Sequence, residues 1–142
     1  MTGMPKQANS SRKKPIRQEL KNLDFEISFM EGVTHRDPTY VEALQILGDD
    51  YTRRGRFEDG LKVDERLATL SPQDALVRYN LACSYSLLNQ CEQAASALEL
   101  AIDLGYRDFK WMTKDPDLKN LRLHPGYKRI RAKVRQLRIK AH

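Results

Sequence analysis

The chain is poor in most of the features that mark a particular chemistry. Of its 142 residues two are cysteines, Cys83 and Cys91, eight apart, which is too few for a disulfide framework and matches no metal-ligand spacing. No window approaches the roughly 18 uninterrupted apolar residues of a membrane-spanning helix. The opening MTGMPKQANSSRKKP has basic residues with no apolar stretch behind them. The expectation is a chain neither secreted nor inserted in a membrane, with the reducing cytoplasm as its home. The seven glycines are scattered and form no phosphate-cradling loop. His35, His124 and His142 have no sequence neighbours suited to binding a metal or activating a nucleophile. Adjacent acids such as Asp49-Asp50 and Glu58-Asp59 point about 100° apart on a helix, so neither pair converges on one atom, and both read as solvated surface. No catalytic constellation emerges, no cofactor is expected, and the chain reads as a non-enzyme.

What is present begins with charge. The balance of 25 Lys plus Arg against 19 Asp plus Glu gives a net charge of +6. Residues 1–21 carry +5 and residues 128–142 carry +7, which leaves −6 for everything between them. The chain is an acidic body between two basic ends. Residues 1–15, with Gly, two Pro, Asn and paired Ser and almost no apolar content, read as a flexible basic arm. From Ile16 the pattern is helical: Ile16, Leu20, Leu23, Ile27 and Met30 recur at three- and four-residue intervals. Phe25, Phe29 and Val33 widen that stripe, so a well-buried capping helix is expected over 16–37, ended by Asp37-Pro38.

Two consecutive segments of equal length then align, 41–74 and 75–108. Leu47 falls over Leu81, Gly48 over Ala82, Tyr51 over Tyr85, Gly60 over Ala94, Leu61 over Ala95 and Leu70 over Leu104. Residue size is kept as well as polarity. The small residue after Leu lets a second helix approach, the Tyr fills the space between helices, and a turn at Arg54-Gly55 or Asn89-Gln90 reverses the chain. Each unit is expected to be a helix-turn-helix hairpin.

The 34-residue period with these small and large positions resembles the tetratricopeptide repeat family over residues 41–108, with Pro38 and Pro72 where that family places its repeat-closing proline. Asp64, Leu67 and Gly105-Tyr106 depart from its pattern. The stretch 109–127, containing DPDL, resembles the terminating segment of bacterial arrays of this kind. The resemblance implies an all-α, two-repeat helical-hairpin solenoid with N- and C-terminal capping helices. The caps would be 16–37 and 109–127, and a basic amphipathic helix would follow over 128–142.

Function is implied by the same resemblance: a protein-protein interaction adaptor or scaffold that binds a peptide or protein segment on its concave face. The face positions are Glu42, Gln45, Asp49 and Thr52 in the first repeat, and Leu76, Tyr79, Asn80, Cys83 and Ser86 in the second. Some members clamp a peptide carboxylate with Lys, Asn and Arg. Asn80 occupies a matching clamp position, and Lys110 and Lys114 would match two more, whereas Gln45 and Asp49 depart from it, so a basic or amphipathic partner suits Glu42 and Asp49 better. The last helix offers another surface. Tyr127, Ile130, Val134, Leu137 and Ala141 form a narrow apolar seam among Lys128, Arg129, Arg131, Lys133, Arg135, Arg138 and Lys140. It suits a capping helix, a nucleic-acid or anionic-membrane contact, or self-association into a homo-oligomer.

Overall fold

The computed structural model describes residues 16–140, so the basic arm expected at 1–15, and Ala141 at the end of the seam, lie outside the described residues. Among the described residues there is no strand. The elements are α1 (Arg17–Arg36), α2 (Val41–Arg54), α3 (Phe57–Leu70), α4 (Ala75–Leu87), α5 (Cys91–Asp103), α6 (Phe109–Met112), a 3₁₀ turn (Pro116–Leu118), α7 (Lys119–Arg122) and α8 (Tyr127–Lys140). None of these helices is long and apolar enough to cross a membrane.

The hairpin turns follow from single residues. Gly55 adopts the left-handed conformation at φ 84°, and its N–H and that of Arg56 close back on the carbonyls of Thr52 and Tyr51 at 3.1 and 2.8 Å. Asn89, 34 residues later, does the same at φ 59°, with Asn89 and Gln90 N–H bonding to Ser86 and Tyr85 at 2.9 and 2.8 Å. Asparagine tolerates this conformation better than most residues that have a Cβ. Helices joined by such short turns lie antiparallel.

The 34-residue spacing recurs well beyond the turns. Helices α2, α4 and α6 begin at Val41, Ala75 and Phe109, and α3 and α5 begin at Phe57 and Cys91. Asp74 caps α4 through the N–H of Leu76, and Asp108 caps α6 through that of Trp111. The Tyr51 hydroxyl donates to Glu31, and the Tyr85 hydroxyl donates to Glu65. Helix α1 thus offers Tyr51 of α2 the acceptor that α3 offers Tyr85 of α4, and α6 starts one further 34-residue step along the chain. Asp115 is extended, because a residue before proline is pushed out of the helical region.

One hydrophobic core runs the length of the molecule, from Ile27 on α1 to Val134 on α8. Gly48 lets α2 approach α3 closely: a Cβ there would lie 3.3 Å from both Val63 Cγ1 and Asp64 Oδ1. The residues that depart from the repeat pattern have identifiable partners. Asp64 is buried and accepts a hydrogen bond from Ser84 on α4, and Tyr106 stacks on Tyr79 with ring centroids 4.2 Å apart.

One expectation is corrected at the N-terminal end. Helix α1 is not well buried: Leu23 and Ile27 face the core, but Phe25 is 77% and Phe29 58% exposed. Its principal packing partner is α2, and one neighbour covers one stripe of a helix, not a widened face. The division expected at 127/128 falls inside α8, whose Tyr127, Ile130 and Val134 are buried and which packs on α5. The last helix belongs to the folded body.

Candidate protein-binding faces

The concave-face candidates divide into two groups. Glu42, Leu76 and Lys110 are each the second residue of α2, α4 and α6, and all three are exposed, as is Lys114. Gln45, Asp49 and Asn80 are half-buried. Thr52, Tyr79, Cys83 and Ser86, by contrast, are buried, and this overturns their expected place on an open binding face. Thr52 turns its hydroxyl onto the Gly48 carbonyl at 3.1 Å, beneath Gly60 of α3. The other three are covered by the segment that follows α6. Ser86 Oγ accepts from the N–H of Leu121 at 3.1 Å, and its carbonyl accepts from Asn120 Nδ2 at 3.0 Å.

Asp115 organises that cover. Its Oδ2 accepts from the Tyr79 hydroxyl at 2.7 Å and from Trp111 Nε1 at 3.0 Å, with Cys83 Sγ 3.8 Å away, while its Oδ1 accepts from the N–H of Asp117 at 3.0 Å. Burial, with Cys83 and Asp115 beside it, pushes the Tyr79 hydroxyl far above the usual phenol range. Cys83, Asp115 and Asp117 bring a thiol and two carboxyls within 4.8 Å of one another, all buried. Both Asp115 oxygens are already engaged by these donors, so the group acts as a hydrogen-bonded plug over α4. The Asp-Pro step was visible in the sequence as a turn, but its closing of the second hairpin depends on a contact 36 residues away.

The Asp49-Asp50 pair is also corrected, since Asp50 is 2% exposed between α1 and α2. Burial is the main cause of a carboxyl pushed up to about 8, with a hydrogen bond to Glu26 and the charges of Glu26 and Asp49 adding to it against the weaker pull of Arg53. Asp50 Oδ2 has no hydrogen-bond partner among the described residues. Near neutral pH Asp50 keeps its proton.

On α8 the six expected polyanion contacts are not equivalent. Arg129 pairs with Glu99 at 2.9 Å and Glu92 at 3.5 Å, and Lys133 with Asp103 at 2.8 Å, so these two fasten α8 to α5. Lys128, Arg131, Arg135 and Arg138 pair with no carboxylate among the described residues. Arg131 lies over the Tyr127 ring, 4.9 Å from its centroid. Between α6 and α8 is a groove of about 320 Å³ bordered by Arg131, Arg135 and Arg138.

No family profile matches the chain, and no solved structure matches it. Over 95 residues it is 42% identical to a protein of Arabidopsis thaliana whose name describes it as chloroplastic, an alignment covering 65% of this chain and 27% of that protein. The chain thus spans about a quarter of that relative's length.

Proposed function

We propose that the chain is a non-enzymatic adaptor of the tetratricopeptide type, a short stack of helical hairpins that holds a segment of a partner protein along their first helices. The observation carrying this reading is the series Glu42, Leu76 and Lys110, exposed at equivalent positions 34 residues apart. Acid, apolar and base follow one another from hairpin to hairpin. The fitting segment has basic residues beside Glu42 and Asp49, an apolar side chain at Leu76, and an acidic residue beside Lys110 and Lys114. We place it in a reducing aqueous compartment, where the free thiols of Cys83 and Cys91 persist. The cytoplasm meets that condition, and the relative's name puts that protein in the chloroplast.

The test compares the intact chain with a Glu42→Lys, Asp49→Lys, Lys110→Glu variant. Partners captured by the intact chain are then measured against both by calorimetry. A loss of about 1 to 3 kcal/mol in binding is expected. Unchanged affinity would overturn this reading. Binding of generic RNA with a steep salt dependence, undiminished in the variant, would make the basic ends the working part.

A further inference from the structure

The groove between α6 and α8 belongs to a surface other than the first-helix series, and it has its own chemistry. Its floor is apolar, the half-buried Phe109 beside the nearly sealed edges of Met112, Tyr127 and Val134. Its rim is cationic. Arg131, Arg135 and Arg138 follow one another at intervals of four and three residues, which puts them on one face of α8 over about 10 Å. None of the three has a carboxylate partner among the described residues, although Arg129 and Lys133 of the same helix do. Helix α3 is covered by α4, and α5 by α8, whereas this groove is open.

We propose that the groove is a docking site for an acidic amphipathic helix of a partner protein. Such a helix would seat one or two large apolar side chains on the floor and set carboxylates at three- and four-residue spacing against Arg131, Arg135 and Arg138. A guanidinium offers paired N–H donors that a carboxylate accepts in a two-pronged geometry, so three in register select acids by position as well as by charge. The floor argues against a nucleic acid: Tyr127 is 3% exposed with Arg131 over its ring, so it is closed to base stacking. It also argues against a membrane surface, because Ile130 at the centre of the α8 seam is fully buried in the core.

The probe is a synthetic, end-capped, fluorescent peptide the length of α8, 14 residues, with Leu and Phe on one helical face and Glu at three- and four-residue spacing beside them. A scrambled peptide of the same composition and an RNA oligonucleotide serve as comparisons, all by anisotropy with the full chain. The patterned peptide is expected to bind about tenfold or more tighter than the scrambled one. Arg135→Glu with Arg138→Glu should remove about tenfold of that affinity, and both side chains are exposed, so the fold tolerates the change. Thr113→Phe, which fills the groove and leaves every charge in place, should abolish the preference for the patterned peptide. Equal binding of patterned and scrambled peptides, RNA binding as tight as either, or affinity unchanged in the double arginine variant would each overturn the proposal.

Discussion

Replacing Asp50 by Asn should stabilise the protein, and by an amount that depends on pH. In the folded chain Asp50 is sealed between α1 and α2 beside Glu26 and keeps its proton up to about pH 8. An unfolded chain releases that proton near pH 4. The folded state therefore binds more protons than the unfolded state across this window, so stability falls as pH rises from about 4 to about 8 and is flat beyond it. Each pH unit costs at most about 1.4 kcal/mol, and the whole window would approach 6 kcal/mol if no water reached the pair. Glu26 is exposed, so solvent relaxes the site from one side, and we expect about 1 to 3 kcal/mol to be realised. An Asn amide stays neutral at every pH and can donate to Glu26. Urea unfolding of the two chains at pH 4, 7 and 9 should show no difference at the first, most of the gain at the second and all of it at the third. In melting temperature the gain is about 3 to 10 °C at neutral pH. Parallel stability profiles, or a variant less stable at pH 9, would refute the buried-proton reasoning.

Asp115→Ala should cost about 3 to 5 kcal/mol in urea unfolding, because it strands the buried Tyr79 hydroxyl and removes an acceptor from Trp111 and the cap on Asp117. A loss below about 1 kcal/mol would mean that the plug over α4 is held by apolar contacts alone. Phe25→Ser with Phe29→Ser should change stability by no more than about 0.5 kcal/mol per site, since both rings are largely in solvent, and a loss above about 2 kcal/mol would show that α1 buries them.

The hairpin geometry was legible in the residues themselves. A left-handed turn wants Gly or Asn, a close helix approach wants Gly or Ala, and Gly55, Asn89, Gly48 and Ala82 meet these demands locally, wherever the rest of the chain goes. The period could also have been followed outward: Asp74 and Asp108, and Glu31 and Glu65, stand 34 apart in the sequence and make equivalent bonds in the fold. Open and covered faces were not legible in this way, because helical spacing says which residues share a side and not what lies opposite. Tyr79, Cys83 and Thr52, expected on an open face, meet protein instead.

The sequence by itself determined where helices begin, turn and recur, since these depend on backbone preferences and side-chain size within a few residues. Tertiary structure decided which surfaces remain available. It turned the scarce cysteine Cys83 and the Asp-Pro step into parts of one buried plug, gave Asp50 its proton, and divided the cations of α8 into those fastened to α5 and those facing a groove. Burial and pairing are properties of neighbours brought together from 20 to 40 residues apart, and no local pattern encodes them.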